Sequence, residues 1–502
     1  MARELEQAVT SPVADLAGRG GDGRLRNFVA GAWREPAGRG ELVVRNPADG
    51  AVLGRVPLTD EGGVDEAVRA AAAAFPAWAQ VPPPERLQTL VRFKAVLEEH
   101  FEELAALVTA ENGKTLDEAR GEVRRGIEVV DFALGLPTLL MGRTLANVAR
   151  GVDVEMYRVP LGVVAGVAPF NFPAMVPMWM FPIAIACGNT FVMKPSERVP
   201  LSVTRLAELF AQAGLPDGVF NVVHGDGETV RALITHPDVR AVSFVGSEPV
   251  AREVYRTASA AGKRVQALAG AKNHLVVMPD ADLPFTVEAI VSSAYGNAGE
   301  RCLAASVVVA VGEVAEPLVA ALSERIGRLR VGDGRRPETE MGPVITAEAR
   351  DRIASEIERG LAEGARLVRD GRGEGPEGGF FLGPTLFDHV PPGARLLRTE
   401  IFGPVLAVVR VASLDEAIDL ANRSPFGNAA AIFTRSGLSA RIFRERIEAG
   451  MVGINIGVPA PVAYLPFAGW KHSFYGDLHA TGEDAVQFYT ERRVVTSRWP
   501  AG

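Results

Sequence analysis

The sequence predicts an α/β protein built from two main units and one smaller element, and three observations carry that expectation. From about residue 26, short β-rich runs alternate with amphipathic helical stretches. The runs GVVAGVAP, TFVMKPS, VFNVVHG and VRAVSFVGS recur at similar spacing with helical sequence between them. That is the pattern of parallel strands joined by crossovers. A second series, HLVVMPD, SVVVAV, GPTLF and PVLAVVR, follows further along. With 502 residues, against roughly 100–200 for an average domain, two or three units and a large core are expected.

Residues 1–24 read as a mobile leader without an apolar core, so no secretory signal is expected there. VDEAVRAAAAAFPAW reads as a helix, and ERLQTLVRFKAVLEEHFEELAALVTAENGK as a second, long one ending at Gly113. The run AMVPMWMFPIAIACGNTFVM comes nearest to a membrane span. Pro177, Pro182 and the Gly188–Asn189–Thr190 break make it a buried core segment instead. Ser413 and Glu416 form a capping-box signature ahead of a helix. GRGEGPEGGFFLG is Gly-rich and polar, the composition of a surface loop. No repeat of solenoid length is present. The terminal VQFYTERRVVTSRW is strand-like but has no neighbour in sequence, so it must pair with a distant region or with another subunit.

Composition bounds the function. At 47% apolar and 23% charged the chain is ordinary globular protein, and its net charge is 53 − 61 = −8. Dispersed basic residues and a negative total argue against nucleic acid or an anionic membrane as main partner. Two cysteines, Cys187 and Cys302, do not make a disulfide framework and fit a reducing, cytoplasmic setting. No metal site is expected.

Four local runs carry possible chemistry, and each also has a plain structural reading. In YGNAGERCLA, Cys302 sits on a short polar turn before an apolar strand, with Arg301 beside it. A thiolate nucleophile needs such access and positive potential, although a free cysteine is more often a buried structural one. In GVVAGVAPFNFP, Asn171 follows a strand, where its amide N–H can face an oxyanion or merely form a turn. FVGSEP ends a strand with Gly246 and Ser247 and opens a helix, a seat for phosphate or an empty turn. KPSE places Lys194 and Glu197 beyond a strand end, in reach of a ribose or of solvent.

Taken together and in this order, PFNFP, KPSE, FVGS, GNAGERC and EIFGPVL resemble the aldehyde dehydrogenase superfamily over residues 26 to 499. The resemblance implies Cys302 as nucleophile, with Asn171 and the Cys302 backbone N–H as oxyanion hole. It implies Lys194 and Glu197 at the adenosine ribose, Ser247 at the pyrophosphate, Glu400 and Phe402 at the nicotinamide end, and Phe170 and Gly246 also in the cofactor site. A carboxylate at Glu197 would repel a 2′-phosphate, so NAD is expected rather than NADP. The implied domains are an NAD-binding Rossmann-like unit (25–143 and 159–269), a catalytic α/β unit (270–477) and a small β oligomerisation element (144–158 and 478–502). A homodimer or homotetramer would follow.

Where the family carries its water-activating Glu, this chain reads LAGAK, with Leu268 at that position. A leucine abstracts no proton, so another acceptor must take the acyl group. AGAKNH, GERCLA and NIGVPAPV are similar to the CoA-acylating methylmalonate-semialdehyde dehydrogenase branch. That implies coenzyme A as co-substrate, methylmalonate or malonate semialdehyde as substrate, and propionyl-CoA or acetyl-CoA as product after decarboxylation. Arg125 and Arg301 match the two arginines for the substrate carboxylate. Outside the resemblance, Arg301 could equally pair with Glu300 or another acid, and Arg125 could lie on a solvated helix face. Hydrolysis based on Glu300 or Glu400, or a silent member of the fold, are the competing expectations.

Overall fold

Eight strands form the first sheet of the computed structural model, which describes residues 16–499. Its centre is parallel, in the spatial order Phe220–Val222, Thr190–Lys194, Val163–Val167, Val239–Val245, Arg264–Leu268. The two middle strands, Val163–Val167 and Thr190–Lys194, are buried throughout, as strands covered by helices on both faces must be. Strand order reverses between Val163–Val167 and Val239–Val245. A crevice opens beyond their carboxyl ends, the place where doubly wound sheets bind ligands.

The second sheet has seven strands, in the order Arg366–Arg369, Thr385–Asp388, Val405–Val411, Ala305–Val311, Asn273–Val277, Ala429–Phe433, Met451–Ile454. Only its first pair is antiparallel. A third sheet of three strands joins Arg143–Ala149, Val152–Pro160 and Thr490–Arg498. Its register runs from Thr490 opposite Pro160 to Arg498 opposite Val152. Leu145, Val148 and Val494 are exposed on it.

Two helices position the site. Leu116–Leu134 starts at a full capping box, Thr115 with Glu118, and buries Ala119, Glu122, Val123, Gly126, Ile127 and Val130 along one face. Met175–Ala186 is buried on every side, which its uniformly apolar sequence requires. The two cross at Gly126, where a Cβ would collide with the Met178 side chain and approach the Met175 backbone. No described helix is long and apolar enough to cross a membrane.

Several expectations need correction. The long helix is two, Pro83–Glu99 and Phe101–Asn112, broken at His100. The expected stop at Gly113 is real, a left-handed cap at φ 90°. Of the leader, residues 1–15 lie outside the described residues. Residues 16–24 are packed in part: Leu16 is 3% exposed and packs with Leu25, Val44, Val56, Leu107 and Leu201, while the Gly18 N–H donates to Glu208. The Ser413 cap is half formed, because Glu416 accepts from Ala412 N–H rather than closing the box. The terminal run is part helix, Gly482–Phe488, and only then strand. Phe474–Tyr475 adds to the edge of the first sheet.

Candidate active site

Cys302 stands where the two large sheets face each other. It precedes Ala305–Val311 at the amino ends of the second sheet and lines the crevice at the carboxyl ends of the first. Two cavities share it. One, of about 520 Å³, is the crevice; the other, of about 360 Å³, lies between the Leu116–Leu134 and Met175–Ala186 helices. Phe172, Trp179 and Phe467 line both.

The crevice gathers every residue expected on the nucleotide side, Phe170, Lys194, Glu197, Gly246, Ser247, Glu400 and Phe402, together with Asn171 and Cys302. Lys194 is buried and pairs with Glu197 at 2.8 Å. Burial pushes the Glu197 carboxyl up, but the Lys194 ammonium outweighs it and leaves the group below its ordinary value, hence charged. Ser247 heads the Glu248–Ala260 helix without using its hydroxyl as a cap, so that hydroxyl and the first-turn N–H groups stay open to an anion. Phe170 and Phe402 meet edge to face at 5.7 Å. An acceptor-lined, anion-seating crevice of this kind fits a dinucleotide.

Asn171 is fixed from both ends. Its Nδ2 donates to the Glu300 carbonyl at 2.9 Å, and its own carbonyl accepts from Lys114 Nζ at 2.6 Å. Lys114 also pairs with Glu122 at 2.6 Å and lies over the Phe172 ring. The remaining oxygen of Glu122 accepts from the Ala174 and Met175 N–H groups, capping the helix that walls the smaller cavity. Sequence reasoning missed Lys114 and Glu122. The available signal was the Gly113 stop followed at once by the Thr115 capping box, which traps Lys114 in a corner between two helices. It also missed Asn273 and Asn428, which bond the Cys302 carbonyl.

On the smaller cavity the two expected arginines differ. Arg125 lines it and makes no ion pair among the described residues. Its neighbour Arg124 turns away to Glu98 and stacks on Phe101. Arg301 lines the cavity too, but its guanidinium is bound to Glu118 at 2.6 Å. The Arg301 charge is therefore shared with Glu118, and it favours the thiolate less than the Cys302 and Leu303 N–H groups do. Burial first, then the Glu400 charge, push the Cys302 thiol up to about 12, against the Cys302 and Leu303 N–H groups and Arg301.

Leu268 is 5% exposed in the crevice wall, so no carboxylate stands there. Nearby acids are committed. Glu118 takes Arg301 and the Thr115 and Asn297 N–H groups, and Glu122 takes Lys114. Burial raises Glu300 to about 8, with Ile345 N–H against one oxygen, so it neither pairs with Arg301 nor serves as a charged base. Glu400 is raised by burial to about 7 and accepts from Ala271 N–H at 2.8 Å through one oxygen only. Its other oxygen lies over Gly270, where a Cβ would stand 2.6 Å away.

Residues 33–495 match the aldehyde dehydrogenase family. A malonate-semialdehyde dehydrogenase of Geobacillus kaustophilus is 56% identical over 95% of this chain and 99% of its own. The crystal structure of methylmalonate-semialdehyde dehydrogenase from Oceanimonas doudoroffii superposes with a TM-score of 0.93 at 48% identity, covering 95% of this chain and 98% of that one. An NAD complex from Sinorhizobium meliloti, described as a candidate enzyme of the same name, gives 0.94 at 46% identity, with 95% and 98% covered.

Glu300 has a consequence for stability. Its folded value, about 8, lies above the ordinary 4.5, so between those values the native state holds the extra proton. Its contribution is full below about pH 4.5 and is lost as pH rises through 8. Glu300→Gln, neutral throughout, is expected to lose less stability between pH 5.5 and 8.5 than the parent in urea unfolding. Parallel pH curves would refute the assignment.

Proposed function

Because the chain belongs to the aldehyde dehydrogenase family, we propose that it oxidises malonate or methylmalonate semialdehyde with NAD and passes the acyl group to coenzyme A. The observation that carries this reading is Cys302 shared by two cavities: among the described residues, one holds an arginine without an ion-pair partner and the other no free base beyond Glu400. The two relatives named after these semialdehydes support it.

Each part of the site has a task in this reaction. Arg125 binds the substrate carboxylate, with the Arg301–Glu118 pair beside it, while Trp179, Phe467 and Val458 exclude water from the short chain. The Cys302 sulfur adds to the aldehyde carbon, and the oxyanion is received by Asn171 Nδ2 and the Cys302 N–H. Lys194 and Glu197 hold the adenosine ribose, with Glu197 excluding a 2′-phosphate. Ser247 and the helix behind it hold the pyrophosphate, with Gly246 clearing the approach, and Phe170, Glu400 and Phe402 close the nicotinamide end. NAD, when bound, accepts the hydride that leaves the adduct, so that a thioester remains on Cys302. Its carbonyl delocalises the electrons released with CO₂, and the enolate so formed takes a proton at the α-carbon to leave an acetyl or propionyl thioester. A CoA thiol then attacks without the strong base that water requires, which suits Leu268.

Glu400 supports a second reading. Its free oxygen and value near 7 suit a base that activates water, which would make the enzyme hydrolytic. Copies of the chain are proposed to meet through the three-stranded sheet, where Leu145, Val148 and Val494 are exposed. Both cysteines are unpaired, consistent with a cytoplasmic enzyme.

Three outcomes test these proposals. NADH formation from malonate or methylmalonate semialdehyde is expected to be sustained only with CoA and to yield acetyl-CoA or propionyl-CoA by mass. Equal turnover without CoA would select the hydrolytic reading. Arg125→Ala is expected to raise KM for the carboxylated aldehyde about tenfold or more, the worth of one charged hydrogen bond, and to leave propanal unaffected. Equal effects on both would remove the clamp. Val494→Glu is expected to lower the sedimentation coefficient to that of a smaller assembly; an unchanged value would move the contact elsewhere.

A further inference from the structure

The backbone carbonyl of Cys302 receives two side-chain amides: Asn273 Nδ2 at 3.0 Å and Asn428 Nδ2 at 2.9 Å. Topology brings them there. Asn273 opens the Asn273–Val277 strand, and its two parallel neighbours in the sheet begin just after Cys302 and just after Asn428. Both asparagines are buried. Two donors arriving from different strands leave that carbonyl one direction.

The peptide joining Cys302 to Leu303 is planar and trans, so its N–H points opposite to its C=O. Holding the carbonyl therefore aims the Leu303 N–H. The Cys302 and Leu303 N–H groups both favour the ionised form of the Cys302 thiol. Donors on a carbonyl also polarise the N–H across the same peptide, strengthening it as a donor.

We infer that Asn273 and Asn428 are positioning residues for the nucleophile: by clamping the Cys302 carbonyl they aim the Leu303 N–H at the sulfur and promote the thiolate. The inference rests on Cys302 being the nucleophile. The device has a clear purpose here, because Arg301 is bound to Glu118 and the Glu400 charge opposes ionisation. With the side-chain cation engaged, the backbone N–H groups favour the anion more than Arg301 does.

Asn428 is the cleaner probe. Asn273 also donates to the Ala304 carbonyl and accepts from Ala429 N–H, stitching three strands, whereas the side chain of Asn428 bonds Cys302 alone. The experiment is alkylation of the whole enzyme by iodoacetamide, without substrate, from pH 6 to 10, with the adduct on Cys302 measured by peptide mass. Cys187, fully buried, serves as internal control. For Asn428→Leu the alkylation rate at each pH is expected to fall roughly threefold to tenfold, the worth of one neutral hydrogen bond. The thermal midpoint should stay within a few degrees of the parent. Asn273→Ala, where it folds, should slow alkylation as well. An unchanged rate in folded Asn428→Leu overturns the clamp while leaving Cys302 as nucleophile. A parent enzyme whose Cys302 resists alkylation at every pH overturns the nucleophile assignment and the clamp with it.

Discussion

Lys114 and Glu122 carry opposite charges through almost complete burial, and the arrangement around Cys302 hangs on their contact. Neither charge could be held there alone. Removing one partner of such a pair typically costs about 3–5 kcal/mol, because the other is left stranded away from water. What makes the pair useful is where its spare bonds go. Lys114 reaches the Asn171 carbonyl, and Glu122 reaches the amino end of the Met175–Ala186 helix. One ion pair thus ties the turn bearing the amide to the helix that walls the substrate cavity.

The rest of the geometry follows from the polarity of the two sheets. The first presents the carboxyl ends of its strands and the second presents amino ends, so loops from both converge on one space. Loops after strands carry Asn171 and Ser247, Lys194 ends its own strand, and the turn before a strand carries Cys302. Within that space most acids are either paired or raised by burial, with Glu300 and Glu400 both well above ordinary carboxylates. The sulfur itself is held neutral.

Much of this was legible in the sequence, for physical reasons. Parallel strands buried on both faces are continuous apolar runs, so the central strands declared themselves. The motif residues sit at strand ends, where short polar insertions stand out, and all of them line the expected crevice. The failures share a cause as well. Lys114 is a charged residue that sequence logic assigns to solvent, and its acid lies a helix turn and a half into the next element. The partner of Arg301 is Glu118, far away in the chain, so adjacency to Cys302 said nothing of where its charge would go. The break at His100 has no glycine or proline to mark it, and the helical period continues across it. Leu16 offers too few apolar neighbours for any pattern, though its burial is nearly complete.

The two cavities touch the sulfur from different sides and share little besides it and three aromatic walls. A group bound covalently to Cys302 can therefore stay seated against Trp179 and Phe467 while the crevice is emptied and refilled. Events at this one atom can be separated in time, with the chain itself keeping the record of the first until the second arrives.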